Sequence, residues 1–366
     1  MTTLDLTDPV TLTGQLVDIA SVSGDEARIA DAIEDALEGL PHLEVLRDGD
    51  GVVARTRLGR EARIVLAGHL DTVPIVGNVP SRREVREGVD TLVGRGSVDM
   101  KGGVAVLVHL AAALVDPRHD VTWVFYDHEE VASSLNGLGR LCSHHPDWVV
   151  GDLALLGEPT ATQVEGGCNG TLRVIAHFPG VAAHSARAWR GENAIHKAAP
   201  VIERIASFGN PVVTVDGLDY RESLSVVRFE GGGATNVIPD SATMTVNYRF
   251  APSVHGDEAM EVVRWVFEGS DASLEIDDLA EGARPGLDSP LAQEFIRAAG
   301  DVTVGPKYGW TDVARFSALG VPALNFGPGD PLLAHTVDEH VPVDQIIRCS
   351  DVLRRWLGAG EEGTPA

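Results

Sequence analysis

The sequence predicts an α/β chain carrying a second, smaller α+β domain inserted within it. Three observations lead there. Helical and strand patterns alternate through the first half. The middle section, 171–280, changes to a β-α-β-β-α-β order. And 366 residues, 44% of them hydrophobic, are more than one ordinary core organises, so two domains is the natural division.

The first domain opens with helices over 8–20 and 25–40, and Ser23-Gly24-Asp25-Glu26 is a helix start before the apolar positions Ile29, Ile33 and Leu37. Short extended runs follow. Arg63 to Ala67 is a buried strand by its length and β-branching, and it ends directly at G-H-L-D-T-V-P. A helix is predicted over 99–115, beginning at Asp99; its apolar part, Val104 to Val115, is too short to span a bilayer and reads as buried. Val121 to Tyr126 is a second buried strand, ending at D-H-E-E, and Leu153 to Leu156 a third, ending at G-E-P-T. Three polar motifs thus follow the C-terminal ends of strands, where open α/β sheets place their ligands.

The insert is read as strand 171–178, helix 192–207, strands 223–230 and 241–250, helix 255–268 and strand 272–278, the ferredoxin-like arrangement, with glycines at 231–233 punctuating its middle. From 281 the α/β pattern resumes with helices 289–299 and 312–319, strand 322–326 and helix 342–357. The expected domains are therefore 1–170 with 281–366, and 171–280. There is no internal repeat, and the tail G-A-G-E-E-G-T-P-A reads as disordered.

Composition narrows the partners. With 29 Lys and Arg against 54 Asp and Glu, the formal net charge is -25. That argues against nucleic acid, which rewards clustered cations, and against a membrane surface. Cys142, Cys168 and Cys349 are odd in number and form no C-x-x-C, which suits a reducing compartment. The first residues have no basic n-region and no long apolar run, so a cytoplasmic location is expected.

The polar motifs carry the chemistry. His69 and Asp71 follow one strand, Asp99 stands in R-G-S-V-D-M-K-G-G, Glu129 and Glu130 follow the next strand, Glu158 the third, and His335 comes late in L-L-A-H-T-V-D-E-H. Two imidazoles with several carboxylates suit zinc, manganese or cobalt better than calcium or magnesium. Taken singly, each residue has an ordinary reading: with 13 histidines a stray one is unremarkable, Glu-Glu pairs are common in solvated loops, and Asp99 suits a helix N-cap. Their joint placement at strand ends is what points to a metal. Asp71 is placed to accept the second ring N–H of His69. If two ions sit side by side, one carboxylate bridges them, and Asp99 lies between the other motifs. One glutamate of the adjacent pair then ligates, and the other takes a proton from the attacking water and returns it to the leaving nitrogen. Spacing does not decide which does which.

The motifs H-L-D-T-V-P (69–74), S-V-D-M-K-G-G (97–103), H-E-E (128–130), G-E-P-T (157–160) and A-H-T-V-D-E (334–339) resemble those of the two-zinc aminoacylase and carboxypeptidase family of metallohydrolases. That family includes glutamate carboxypeptidases, acetylornithine deacetylases and succinyl-diaminopimelate desuccinylases. The resemblance covers essentially the whole chain. Further stretches, G-T-L-R-V (170–174), A-H-S-A-R-A-W-R-G-E-N-A-I-H-K (183–197), N-V-I-P-D (236–240), N-Y-R-F-A-P (247–252), K-Y-G-W-T-D-V-A-R-F (307–316) and N-F-G-P-G-D-P (325–331), are similar to the desuccinylase branch of actinobacterial type.

The resemblance implies a two-zinc exopeptidase-like catalytic domain and an inserted dimerisation or lid domain. It implies one metal on His69 and Glu158, another on Glu130 and His335, Asp99 bridging, and Glu129 as general base. It also implies a homodimer in which His184 reaches a partner's active site to stabilise the oxyanion. The implied reaction is hydrolysis of N-succinyl-LL-2,6-diaminopimelate to succinate and LL-2,6-diaminopimelate, a step of lysine and cell-wall precursor synthesis. That substrate carries three carboxylates, so Arg249 is a candidate clamp, its alternative being a structural ion pair. Asn236 and the Gly309-Trp310 turn are weaker substrate-binding candidates. Two departures from the family pattern stand out: His128 before the glutamate pair, a bystander or a pH-sensitive neighbour of the base, and Trp189 with Arg190 after the His184 segment. The metal residues do not separate a desuccinylase from an acetylornithine deacetylase or an amino-acid carboxypeptidase. A non-catalytic binding homologue is disfavoured because every ligand and the base are present.

Overall fold

The computed structural model describes residues 3–358. The tail beyond Gly358 lies outside them. The chain divides into two compact units, Met1–Gly166 with Pro285–Gly305 and Asp312–Ala366, and Gly167–Arg284 with Pro306–Thr311.

The first unit is built on an eight-stranded sheet in the order Glu44–Asp48, Gly51–Arg55, Asp120–Tyr126, Arg63–His69, Leu153–Leu156, Ala323–Asn325, Val164–Gly166 and Val304–Pro306. Its centre is parallel: Arg63–His69 runs between Asp120–Tyr126 and Leu153–Leu156, and Ala323–Asn325 runs beside the latter. These strands are buried along nearly their whole length, as expected of parallel strands covered on both faces. Helix Lys101–Ala113 is buried from Lys101 to Ala111, the fate of a helix that is apolar all round. Leu16, Ile33, Leu66, Val108, Trp123 and Leu353 belong to one continuous core.

Two helix starts differ from the sequence reading. The helix expected from Asp99 begins at Lys101, and Asp99 caps nothing: the N-cap position is Met100, without a side-chain cap bond. The second helix begins at Ala27, and the Glu26 carboxylate accepts the Gly24 N–H instead of capping it, at 2.9 and 2.8 Å from its two oxygens. The short runs after residue 40 resolve into the hairpin Glu44–Asp48/Gly51–Arg55 and a separate sheet of Arg82–Arg86, Val89–Val93 and His340–Pro342.

Asp120, at the start of its strand, accepts from the Leu58 N–H at 2.8 Å, the Arg60 N–H at 2.9 Å and the Thr56 hydroxyl at 2.7 Å. Burial alone would raise its pKa; these donors outweigh it and hold the carboxyl below the ordinary range. A depressed folded-state pKa stabilises the fold above the unfolded value, and that contribution is lost as pH falls through the folded one. Asp120→Asn is expected to cost about 1–3 kcal/mol at neutral pH. It should also flatten the acid limb of Tm against pH below about 4, as thermal melts across pH would show.

The second unit carries a four-stranded antiparallel sheet in the order Ser223–Gly231, Ser241–Phe250, Gly170–Pro179, Ser273–Ala280. Counted within the insert this is 2-3-1-4, the ferredoxin-like order. Leu172, Val174, Ala176 and Phe178 alternate onto one face and share a core with Ala198 and Val201 of helix Ala194–Ser207 and Met260 and Val263 of helix Gly256–Val266.

The structure adds a hairpin, Val212–Val215/Leu218–Arg221, that the sequence reading passed over. Its turn residues Asp216 and Gly217 have φ of 49° and 86°, the positive pair of a type I′ turn, so the V-D-G-L signal was there to be read. The unit is also longer than 171–280. Cys168 and Ala283 exchange backbone hydrogen bonds of 3.0 Å, and the Asn169 N–H reaches the Lys307 carbonyl at 3.2 Å, which brings 306–311 into it.

Candidate metal centre

The parallel register pairs His69 with Tyr126 and Ala67 with Leu156, so three strands end side by side and their following loops open at one end of the sheet. His69 closes the first strand, Glu129 and Glu130 follow the second, and Glu158 follows the third. Asp99 comes from the segment before helix Lys101–Ala113, and His335 from the loop before strand His340–Pro342.

These side chains converge. Three sets place one donor atom from each member within 4.8 Å of the others: His69, Asp99 and Glu158; Asp99, Glu130 and His335; and His69, Glu129 and Glu130. Asp99 belongs to the first two. Its Oδ1 lies 3.1 Å from His69 Nε2 and its Oδ2 lies 3.2 Å from His335 Nε2, so its two oxygens face opposite imidazoles. Glu130 Oε1 lies 2.9 Å from His335 Nε2.

The electrostatics ask for a cation. Burial would lower the His69 pKa, but contacts with Asp71 and Asp99 overcome it and raise the ring well above its ordinary value. Hydrogen bonding to Asp99 and then Glu130 lifts His335 to about 10. Burial pushes Glu129 well up; His69 opposes this, while Asp312, Glu158 and Glu130 add to it. Carboxylates packed this closely draw positive charge to the spot. A pair of divalent ions meets that demand, with the imidazoles giving up their protons to become ligands. Nitrogen and oxygen donors in two triads sharing one carboxylate fit such a pair.

Asp71 faces His69 as expected and does more besides. His69 Nδ1 lies 3.0 Å from the Asp71 backbone carbonyl oxygen and 3.5 Å from the nearer carboxylate oxygen. The carboxylate also receives the N–H of Glu129 at 2.9 Å, the N–H of Glu130 at 3.0 Å and the Ser23 hydroxyl at 2.7 Å. Burial opposes its ionisation, yet His69 and these donors hold its pKa down at about 2. Asp71 thus fixes the backbone of the glutamate pair. His128, at φ 60°, turns its ring to Asp127 at 2.7 Å, and its N–H donates to Glu26 at 3.2 Å.

Glu158 is positioned by a glycine contact. A Cβ on Gly103 would lie 2.0 Å from the Gly157 carbonyl oxygen, so only glycine lets the helix run this close to the Glu158 loop. Gly103→Ala is expected to lower stability by about 1–3 kcal/mol and to weaken metal uptake by displacing Glu158. Paired measurements of Tm and bound metal test this.

Several charged residues here were not singled out from the sequence. Lys101 is buried, its ammonium pushed down to about 7 by burial, and it donates to the Ile19 carbonyl at 2.7 Å. Asp312 is buried and accepts from Asn136 at 3.0 and 3.2 Å and from Arg315 at 2.6 Å. Arg95 and Glu339 form a buried pair at 2.7 Å. The hint for Lys101, Arg95 and Glu339 was that they stand inside or beside the metal motifs, and for Asp312 that it stands in the K-Y-G-W-T-D-V-A-R-F stretch.

The remaining predicted residues lie in the second unit, apart in sequence from the donor set. His184 precedes a short 3-10 turn, its Nδ1 accepting the Ala186 N–H at 3.0 Å. It stands beside Asn236, whose carbonyl accepts the Ser185 N–H at 2.9 Å. Arg249 pairs across the sheet with Ser223 and Thr171. Among the described residues its guanidinium makes no hydrogen bond or salt bridge, so the structural ion pair weighed above is absent. Burial and the Arg173 guanidinium lower its pKa, with Asp278 opposing. Gly309 lies in the 306–311 stretch, next to Trp310, whose indole N–H donates to the Glu281 carbonyl at 3.0 Å. Trp189 is exposed.

Comparison with known proteins gives the family. A Mycobacterium tuberculosis protein named as a succinyl-diaminopimelate desuccinylase is 54% identical over 96% of this chain and 98% of its own. A succinyl-diaminopimelate desuccinylase of Corynebacterium glutamicum is 49% identical over 96% of each chain. The fold is shared with an aminopeptidase from Bacillus cereus, at a TM-score of 0.78 and 19% identity over 97% of this chain and 98% of that one. The model of peptidase family M20/M25/M40 matches residues 65–359, and with that match over most of its length the chain belongs to this family.

Proposed function

We propose that this metal-dependent amide hydrolase cleaves N-succinyl-LL-2,6-diaminopimelate to succinate and LL-2,6-diaminopimelate, in the synthesis of lysine and diaminopimelate. The observation that carries the hydrolytic reading is the division of the Asp99 oxygens between His69 and His335. The substrate follows from the two relatives of about half identity over nearly full length.

In this reading His69, Asp99 and Glu158 hold one divalent ion and Asp99, Glu130 and His335 the other, zinc first, with cobalt or manganese as substitutes. Bound there, such ions would polarise the amide carbonyl and lower the pKa of a water beside it. Glu129 takes the water proton and passes it to the leaving nitrogen. Asp71 holds Glu129 and Glu130 in register through their backbone N–H groups. Arg249, a desolvated guanidinium without an internal partner, pairs with a substrate carboxylate, and Asn236 and Gly309 line the same substrate. His184 stabilises the oxyanion from a second copy of the chain, with the insert as the dimer contact.

No helix among the described residues is long and apolar enough to cross a membrane. A cytoplasmic homodimer is the state proposed, and sizing in solution tests the dimer. The substrate is tested by comparing N-succinyl-diaminopimelate, N-acetylornithine and a dipeptide on zinc-loaded enzyme. The succinyl substrate is expected to give the highest kcat/KM; faster turnover of either other compound overturns the choice.

A further inference from the structure

His335 is the donor with least support from regular structure. Its side chain is 51% exposed, against 14% for Asp99 and 1% for His69. It sits at φ 64°, a left-handed conformation. The other donors have firm anchors: His69 ends a central strand, Glu158 follows the Gly103–Gly157 backbone contact, and Glu130 is fixed through Asp71. The His335 loop reaches a strand only at His340.

Two buried charges hold this loop to the Asp99 segment. Glu339 Oε1 accepts the N–H of Val98 and the N–H of Asp99, each at 3.1 Å. Its other oxygen accepts Arg95 Nη1 at 2.7 Å. Arg95 Nη1 also donates to the Thr336 carbonyl at 3.2 Å, the residue after His335, and its Nε to the Pro74 carbonyl at 3.2 Å. One pair therefore ties the end of the His69 loop, the Asp99 segment and the His335 loop together. The two side chains are 4% and 1% exposed. Desolvating such a pair is costly, so its net stabilisation is small; what it fixes is geometry.

We infer that Arg95 and Glu339 are positioning residues that set the affinity of the metal position formed by Asp99, Glu130 and His335, apart from the position of His69, Asp99 and Glu158. The inference rests on the reading that these donors hold two ions. Arg95 takes hold of the backbone directly after His335, and Glu339 of the backbone at Asp99, so the pair spans the gap that this second position must close. Breaking the pair on its Arg95 side frees His335 to drift from Asp99, while an acceptor oxygen kept at position 339 still holds the Asp99 backbone and the His69 and Glu158 anchors stay in place.

The test is titration of the metal-free protein with Zn2+ and with Co2+, reading ions bound per chain, the affinity of each position and Tm together. Wild type is expected to take two ions. Arg95→Met and Glu339→Gln should keep one ion as wild type and lose affinity for the other by about 10–100-fold. Arg95→Lys, which keeps the charge but not the fork, should recover part of the loss. It also carries the comparison if either of the other variants fails to fold. Variants that hold both ions as wild type does, or lose both equally in step with Tm, overturn the inference. A wild type that takes fewer than two ions overturns the two-ion reading itself, and this inference with it.

Discussion

Glu129→Gln is expected to lower kcat by about 10²–10⁴-fold, the range for losing a positioned general base, while bound metal stays near the wild-type level. Glutamine keeps the shape and can still accept a hydrogen bond, but it cannot take and return a proton. The contrast is Glu130→Gln. Glu130 shares a triad with Asp99 and His335, and Glu129 does not. The second variant should therefore lose metal along with activity. Kinetics paired with elemental analysis of both variants separates the roles. Activity surviving in Glu129→Gln, or metal leaving it, would reverse the assignment of the pair.

Asp71→Asn should be damaging to a lesser degree, for a different reason. Both carboxylate oxygens accept: Oδ1 takes the Glu129 N–H and Oδ2 takes the Glu130 N–H and the Ser23 hydroxyl. An amide offers one oxygen and turns an NH2 group against a donor on the other side. A buried N–H left facing it costs about 1–3 kcal/mol, and the glutamate pair loses its fixed backbone. Activity is expected to fall about 10–100-fold, as for other groups that orient ligands. Ser23→Ala, which removes a single donor, should sit between this variant and wild type. Equal activity of Asp71→Asn and wild type would show that the glutamate loop holds itself.

Some of this was legible from the chain alone. The buried strands Arg63–His69 and Asp120–Tyr126 announced themselves by length and β-branching, and the polar residues after them by position. What periodicity carries, sequence reveals. The work of Asp71 was hidden because its partners lie 58 and 59 residues away and are backbone groups, which leave no mark in residue identity. Arg95 and Glu339 went unmarked in the sequence for the same reason: their burial is a property of loops packed together, not of local pattern. Spacing never divided Glu129 from Glu130. The family resemblance made that division, and in the structure Glu130 alone of the two touches His335. The Asp216-Gly217 hairpin was different, a plain local signal in the stretch between helix 192–207 and strand 223–230 that was given no element.

The paired bonds between Cys168 and Ala283 have a consequence for how such a protein changes over time. They pinch the long excursion from Gly167 to Arg284 into a neck whose two strands are already joined. Swapping what lies beyond a closed neck asks little of the chain in loop entropy. Every metal donor named above is encoded on the near side of it. The metal donors are thus encoded apart from the module beyond the neck, which carries His184, Asn236 and Arg249. A graft of that module from a relative, cut at 167 and 284, is the natural way to ask how much of substrate choice travels with it.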